Sequence, residues 1–306
     1  MKILVATEKP FAKAAVDGIR NIVEGAGYEL ALLEKYADAA DLLKAVANAD
    51  ALIIRSDKVT PAVVEAGRKL KIVVRAGAGY DNVDLPSCTA KGIVVMNTPG
   101  QNSNAVAELA VGMMIFMARN QFQPGTGTEI NGKRLGIHAY GNVGRLVGRY
   151  AKAMGMKVSA FDPYAAPAVF EADDVEVVCS VDALYANSDY VSVHIPATPE
   201  TKKSLNYDLL SKMPKGAALV NTARKEVIDE EGLIRLLADR PDLKYATDIA
   251  ADAQVELNEK FGSRVFATAK KMGAETAEAN INAGLAAARQ VVEFFRKGET
   301  RFQVNK

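Results

Sequence analysis

A glycine turn joins an apolar run, RLGIHAY, to an amphipathic helical pattern, GNVGRLVGRYAKAMG. The turn has the order Ala139-x-Gly141-x-x-Gly144, which is the dinucleotide-binding fingerprint with alanine in place of the first glycine. In that fingerprint the glycines let the backbone approach a pyrophosphate, which then lies at the positive N-terminus of the helix. The residues expected to form this part of the site are Ala139, Tyr140, Gly141, Asn142, Val143 and Gly144. Taken alone, the turn is equally compatible with an ordinary strand–turn–helix connection.

An acidic residue follows at the distance that such a site requires. The next apolar run, MKVSAFD, ends in Asp162, and dinucleotide-binding domains carry an acid roughly 20 residues beyond the glycines to bind the ribose hydroxyls. A carboxylate there repels a 2′-phosphate, so the sequence predicts NAD rather than NADP as the cofactor. The alternative is that Asp162 only caps the loop before Pro163.

The elements that must position these residues alternate along the whole chain. Val/Ile-rich runs such as KILVAT, DALIIRS and KIVVRAG alternate with helical patterns, the first of which is expected to hold Pro10 in its first turn. A second series of strands follows the connector 121–133. Continuous apolar strands are buried on both faces, which is typical of parallel sheets covered by helices. We therefore expect an α/β fold with two doubly wound, Rossmann-like domains.

Composition and charge exclude several classes of protein. The formal net charge of +1 over 306 residues gives no reason to expect nucleic acid or an anionic membrane as a partner. The longest apolar run, 109–118, is shorter than the ~18 residues of a membrane span, and no secretion signal is evident. The two cysteines, Cys88 and Cys179, have no metal-binding spacing and are expected to be reduced and mostly buried. We expect a cytoplasmic protein without a metal site.

Four segments carry a resemblance to a known family: RAGAGYDNVD (75–84), NTPGQNSNAVAELA (97–110), HIPATPETK (194–202) and LVNTARKEVIDEEGL (219–233). Their order and spacing resemble those of the D-isomer-specific 2-hydroxyacid dehydrogenases. Within that family the chain is most similar to the members that oxidise D-3-phosphoglycerate to 3-phosphohydroxypyruvate, the first step of serine biosynthesis. The resemblance implies NAD as cofactor, a phosphorylated hydroxy acid as substrate, and a homodimer.

The resemblance also implies a domain arrangement. A substrate-binding domain is expected from 1–99 and 277–306, and an inserted NAD-binding domain from 100–276, with the active site in an interdomain cleft. The chain ends at RFQVNK, where the catalytic core of the family usually ends, so no appended regulatory domain is expected.

The same resemblance implies roles for individual residues. Arg224 matches the arginine that holds the 2-oxo acid, and a planar guanidinium suits this role because it offers two parallel donors at any working pH. Arg55, together with Arg75, is expected at the substrate phosphate. The remaining substrate-side residues are Ser56, Ala78, Gly79 and Asn102. The remaining cofactor-side residues are Pro163, His194, Pro196, Thr201, Thr222, Ala223, Asp248 and Gly273.

The chain departs from the family at the acid–base pair. The family's catalytic histidine falls on Lys271, within FATAKKMGAETAEA, and its glutamate partner falls on Ala253, next to Asp252. The chain's two histidines, His138 and His194, are expected to be structural or cofactor-side. Lys225 also replaces the glycine that commonly follows the arginine.

The absence of both the histidine and its glutamate partner favours a lysine as the general acid. Lysine has an unperturbed pKa of about 10.4, which desolvation and positive neighbours lower and an adjacent carboxylate raises. Lys270, Arg224 and the oxidised nicotinamide would supply those positive charges. We therefore predict that Lys271 is the general acid/base, with Asp252 at most a weak partner. The alternative is that Lys271 only anchors the substrate anion.

Two other functions remain open at this stage. The first is a related dehydrogenase with another substrate, such as a glyoxylate/hydroxypyruvate reductase or a D-lactate dehydrogenase. The second is a catalytically idle, NAD-sensing binding protein, which the absent histidine and glutamate would favour.

Overall fold

Every strand pairing within the two sheets of the protein is parallel. The structure is a computed structural model that describes residues 1–306. The chain divides into two units, the first formed by 1–102 and 276–306 and the second by 103–275. Each unit is a parallel sheet with helices on its faces, which confirms the predicted α/β class with two Rossmann-like sheets.

The first unit holds a five-stranded sheet in the order β2-β1-β3-β4-β5. Its strands are β1 Lys2–Thr7, β2 Glu29–Glu34, β3 Ala51–Ile54, β4 Ile72–Arg75 and β5 Val94–Asn97. Its helices are α1 Lys13–Gly25, α2 Ala39–Val46, α3 Pro61–Ala66, α4 Leu85–Ala90 and α12 Ala277–Lys297. The strand order reverses between β1 and β3, and the carboxyl ends of these two strands are therefore the place where a ligand is expected.

The last helix joins the two chain segments of the first unit. Thr276 caps α12, its side chain accepting a hydrogen bond from the backbone N–H of Ala279 (3.1 Å). The helix packs on α1 through buried residues such as Ala287 and Val291. Gly284 allows a close approach, since a Cβ there would lie 3.1 Å from Ile19 and from Phe11. The returning segment is therefore part of the apolar core of this unit.

The second unit holds a seven-stranded sheet in the order β12-β11-β10-β9-β6-β7-β8. Its strands are β6 Arg134–His138, β7 Lys157–Phe161, β8 Glu176–Val177, β9 Tyr190–Val193, β10 Ala218–Asn221, β11 Lys244–Thr247 and β12 Val265–Ala267. Its helices are α5 Ser103–Ala118, α6 Asn142–Ala153, α7 Pro167–Asp173, α8 Val181–Ala186, α9 Tyr207–Leu210, α10 Glu230–Asp239 and α11 Gln254–Phe261. Here the order reverses between β6 and β9.

The structure corrects three details of the sequence prediction. Pro10 precedes α1, which begins at Lys13. Cys88 is buried as expected, but Cys179 is exposed, because it follows the short, exposed edge strand β8. The second series contains a further strand, β12, which pairs with β11 and was not predicted.

The helices also bear on membrane association. None of them combines the length and the apolar character that a membrane crossing requires.

Candidate active site

The candidate cofactor residues lie at the carboxyl edge of the seven-stranded sheet. Ala139 follows β6, Asp162 follows β7, and His194 follows β9. Thr222 follows β10 and Asp248 follows β11. Because all these strands are parallel, the loops that carry the predicted side chains meet at one edge, which is where ligands bind in open α/β sheets.

The glycine turn is tight even though its first position is alanine. Ala139 adopts φ 79°, a left-handed conformation that costs an L-residue roughly 1–2 kcal/mol. Its backbone N–H donates to the Phe161 carbonyl (2.9 Å), which ties the turn to β7. A Cβ at Gly144 would lie 2.3 Å from the Ala139 carbonyl oxygen, so α6 can start here only with glycine at this position. The alanine therefore keeps the turn and bears the backbone strain that glycine would avoid.

Gly141 has a different role from Gly144. A Cβ at Gly141 would meet no atom within 4 Å, and its φ of −84° is open to any residue. The fold therefore does not require glycine at this position. Gly141 is the N-cap of α6, and the helix begins with the backbone N–H groups of Asn142 and Val143. Open space over helix N–H groups fits a bound pyrophosphate.

Asp162 lies directly against this turn. Its carboxylate accepts hydrogen bonds from the backbone N–H of Tyr140 (2.8 Å) and of Tyr164 (2.9 Å). A carboxylate has capacity for about four hydrogen bonds, so acceptor sites remain for ribose hydroxyls. The side chain of Tyr140, in contrast, is buried against Phe170 with stacked rings 4.9 Å apart, so Tyr140 can serve a cofactor only through its backbone.

Both histidines lie beside the turn and are neutral at physiological pH. Burial lowers the pKa of His138 to about 4, although the charge of Asp162 opposes this shift. Burial, and then the neighbouring His138, lower the pKa of His194 to about 3. The His194 ring contacts the hydroxyls of Ser192 (2.9 Å) and Thr222 (3.5 Å). These rings are held in the sheet edge as neutral groups, so neither is a proton donor at neutral pH.

Two cationic side chains converge on one backbone oxygen. The Lys271 ammonium donates to the Ala223 carbonyl (2.9 Å), and the Arg224 guanidinium donates to the same oxygen (3.0 Å). Lys271 follows β12 and Arg224 follows β10, so the residues come together only because both strands end at this edge. Two cations around one oxygen form a local site for an anion.

The loop that carries Arg224 is held by Asn221, which is fully buried. The Asn221 amide accepts from the Ala223 N–H (2.9 Å) and donates to the Arg224 carbonyl (2.9 Å). Both predicted loop residues, Thr222 and Ala223, are also buried. The direction of Arg224 is therefore set by the end of β10.

Asp248 is a buried carboxylate within electrostatic reach of these cations. One oxygen accepts from the Gly273 N–H (2.8 Å), and the other is buried without a hydrogen-bond partner. Burial raises the pKa of Asp248, while the charges of Lys271 and Arg224 lower it. Lys271 therefore retains an acidic neighbour, contrary to the sequence argument. The unpartnered oxygen is an acceptor that an amide N–H of a bound cofactor could satisfy.

Asp252 lies elsewhere than predicted. Its carboxylate forms an ion pair with Lys225 (2.5 Å), and the Asp252 side chain is 80% exposed. Its backbone N–H donates to Glu230 (2.9 Å). The structure thus pairs Asp252 with the lysine that replaces the family glycine and not with Lys271. Lys270 and Lys271 are both exposed, but only Lys271 is seen to donate to the Ala223 carbonyl.

In the first unit, Arg55 lies at the point where the strand order reverses. It follows β3, and its guanidinium donates to the Lys9 carbonyl (3.3 Å) beyond the end of β1 and to the side chain of Asn280 on α12. The guanidinium also lies 5.3 Å from the centre of the Phe11 ring. The side chain is therefore held on three sides.

Arg75 lies beside Arg55. Its Nε donates to the Arg55 carbonyl (3.1 Å), and its guanidinium occupies the space over Gly77, where a Cβ would lie 1.4 Å from Nη1. Gly77, with φ 148°, is the position that only glycine can fill. The structure thus brings together the two arginines predicted to bind a phosphate.

The other predicted residues lie in loops of one unit or the other. Ala78 and Gly79 follow Gly77 and are half-buried, and the Ala78 carbonyl accepts from Asn97 (2.6 Å). Ser56 is exposed next to Arg55. Thr201 donates to the Pro196 carbonyl (2.6 Å) within the loop after β9. Pro163 is exposed beside Asp162, and Asn102 is half-buried at the last position before the second unit.

Sequence reasoning missed two residues of the arginine site. Asn280 contacts the Arg55 guanidinium, and the buried Asp57 accepts from the Arg55 backbone. Both have polar side chains in or beside motifs that were recognised, but their partners are set by tertiary structure, and no spacing rule identifies them.

The seven-stranded sheet, the glycine turn and the acid after β7 are the features of a dinucleotide-binding domain, and the acid favours NAD. Residues 107–282 match the model of the D-isomer specific 2-hydroxyacid dehydrogenase NAD-binding domain. The chain is 37% identical over 275 residues to the hydroxypyruvate reductase of Thermotoga maritima, a match that covers 84% of this chain and 88% of that protein. This chain belongs to the D-isomer specific 2-hydroxyacid dehydrogenase family.

Two further relatives are both named as 3-phosphoglycerate dehydrogenases. The chain is 35% identical over 270 residues to the D-3-phosphoglycerate dehydrogenase of Methanocaldococcus jannaschii, which covers 84% of this chain and 52% of that protein. The chain thus spans about half the length of that relative. The crystal structure of NAD⁺-bound 3-phosphoglycerate dehydrogenase in Entamoeba histolytica has a TM-score of 0.91 and 49% identity, covering 100% of this chain and 99% of that one.

The role of Gly141 predicts a separable effect of substitution. Gly141→Ala should weaken NADH binding by about tenfold or more, because its methyl group would fill the space over the α6 N-terminus. The thermal unfolding midpoint should stay unchanged, since the added Cβ meets no atom. Gly112→Ala in α5, which also meets no atom, is the matched control. NADH titration by fluorescence measures the affinity, and equal affinities in all three proteins would contradict the assignment.

Proposed function

We propose that the protein interconverts D-3-phosphoglycerate and 3-phosphohydroxypyruvate with NAD, as a homodimer. The observation that carries the proposal is the shared contact of Lys271 and Arg224 with the Ala223 carbonyl. It supports a site in which a guanidinium holds the 2-oxo acid and an ammonium lies beside it. Residues 100–276 would form the cofactor domain, and 1–99 with 277–306 the substrate-binding domain.

Each side chain of the proposed site has a role that follows from its chemistry. Arg224 would hold the carboxylate and the 2-oxygen through parallel N–H donors. When bound, the nicotinamide supplies or accepts the hydride. Lys271 would give the proton of its ammonium to the carbonyl oxygen during reduction and take it back during oxidation. Asp248, buried beside both cations, would balance their charge and accept from the cofactor amide.

The protonation states of the histidines support a lysine acid. The chain has two histidines, and burial lowers the pKa of both to values far below neutrality. Neither can supply a proton at working pH. Lys271 is the cationic group that carries a transferable proton at the Arg224 site, since a guanidinium keeps its proton. The geometry of Asp252, paired with Lys225, supports a mechanism in which that carboxylate takes no part.

The phosphate assignment rests on Arg55 and Arg75. The Arg75 side chain donates to the Arg55 backbone carbonyl, and the two residues follow or end the adjacent strands β3 and β4. Charge-assisted bonds from two arginines suit a phosphate dianion. The second candidate function is reduction of hydroxypyruvate, which lacks that phosphate, and the similarity to the T. maritima hydroxypyruvate reductase favours it.

Substitution of Lys271 separates proton transfer from anion anchoring. Lys271→Met should lower kcat by about two to four orders of magnitude, as expected for the loss of a general acid. Lys271→Arg keeps the charge but not a transferable proton, so its kcat should fall similarly. Lys270→Met is the matched control: it removes a neighbouring charge but not the proposed proton donor, so its kcat should fall by no more than about tenfold.

The measurements are steady-state NADH oxidation and NADH affinity. The affinity should change little in all three variants. If Lys271→Arg retained the native kcat, Lys271 would be an anion anchor and the general-acid assignment would fail.

A comparison of substrates tests the proposed activity itself. With NADH in excess, kcat/KM for 3-phosphohydroxypyruvate should exceed that for hydroxypyruvate by at least about a hundredfold. The reason is that the smaller substrate lacks the phosphate to which the two arginines would make charge-assisted bonds. Equal values, or a preference for hydroxypyruvate, would assign the chain to the second candidate function.

A further inference from the structure

A buried carboxylate organises the loop that carries Arg55. Asp57 is 4% exposed and lies two residues beyond Arg55, after the end of β3. Its Oδ1 accepts from the Glu8 backbone N–H (2.7 Å) and from the Tyr36 hydroxyl (2.8 Å). Its Oδ2 accepts from the Arg55 backbone N–H (3.2 Å). One carboxylate therefore ties together the segments that follow β1, β2 and β3.

Both ends of the Arg55 peptide unit are held. The backbone N–H of Arg55 donates to the Asp57 carboxylate. The Arg55 carbonyl accepts from Arg75 Nε (3.1 Å) and from the Asn82 amide (3.1 Å). The same Asn82 amide also donates to the Asp57 carbonyl (2.7 Å). The backbone at Arg55 thus has no freedom to turn without breaking several hydrogen bonds.

Asp57 also acts on the guanidinium at a distance. It holds the N–H of Glu8, and the carbonyl of the next residue, Lys9, accepts from Arg55 Nη1 (3.3 Å). A displaced Glu8 would move that acceptor. The carboxylate therefore sets the position of Arg55 through its backbone and through the loop that its side chain contacts.

We propose that Asp57 is a positioning residue that gives this protein its preference for a phosphorylated substrate by holding Arg55, without touching the substrate. The inference deepens the proposed function and rests on it, because it assigns the phosphate end of the substrate to Arg55.

The direction in which substrate binding changes distinguishes this positioning role from a direct electrostatic effect of the Asp57 charge. A buried negative charge close to an anion site repels the anion, so a purely electrostatic Asp57 would weaken phosphate binding. Its removal would then strengthen binding. Positioning predicts the reverse, since an amide at this place has one acceptor oxygen and sets an N–H₂ donor against the N–H of Arg55 or of Glu8.

The test is Asp57→Asn, assayed with NADH against 3-phosphohydroxypyruvate and hydroxypyruvate. The KM for the phosphorylated substrate should rise on the order of tenfold, as expected for a broken buried hydrogen bond. The kcat should stay within about threefold, and the ratio of kcat/KM for the two substrates should fall by the same order. Tyr36→Phe is the matched control, because it removes one donor to Asp57 and leaves the Arg55 and Glu8 contacts in place. Its substrate ratio should match the native protein.

Asn82→Ala is a second, independent variant for the case in which Asp57→Asn does not fold. It removes the donor to the Arg55 and Asp57 carbonyls from a half-buried side chain. The substrate ratio should fall in the same direction.

An unchanged ratio in Asp57→Asn, or in Asn82→Ala if only that variant folds, would overturn the inference, as would a lower KM in Asp57→Asn. If the native protein shows no preference for the phosphorylated substrate, the proposed function fails first, and that result is distinct from a failure of the variants.

Discussion

The proposed chemistry depends on one backbone oxygen. The Ala223 carbonyl accepts from both Arg224 and Lys271, which come from the ends of different strands. A carbonyl dipole reduces the repulsion between the two cations, which in the proposed function hold one anion. The contact requires the loop after β10 to turn tightly, and the buried Asn221 amide provides that turn. The cations are thus arranged by the backbone of the sheet edge.

The cofactor side of the site is also arranged by the carboxyl edge of the parallel sheet. Asp162, the glycine turn and the neutral histidines all end or follow parallel strands and meet at one edge. Ala139 has a left-handed conformation, its N–H bonds the Phe161 carbonyl, and its own carbonyl oxygen lies where a Cβ at Gly144 would be. In the first unit, Asp57 has the corresponding role for Arg55. In both units a buried polar side chain, Asn221 or Asp57, bonds the backbone of a half-buried arginine.

Some of these features could be predicted from the sequence, and others could not. The apolar runs and the glycine turn gave the sheets and the cofactor edge, because burial on both faces and helix–phosphate contact leave direct compositional patterns. The short strand β12 was missed because its three residues stand beside a run of polar ones. The ion pair of Asp252 with Lys225 could not be predicted, since two loops distant in the chain decide it. The three partners of Asp57 likewise depend on the register of β1, β2 and β3, which no local pattern specifies.

The most direct measurement is a crystal structure of the complex with NAD⁺ and 3-phosphohydroxypyruvate, a pair that cannot react. Lys271 Nζ should lie about 3 Å from the carbonyl oxygen of the bound acid, with Arg224 on the carboxylate. If the ammonium stays on the Ala223 carbonyl while a water molecule or another side chain reaches the reacting oxygen, the account of a lysine acid is contradicted.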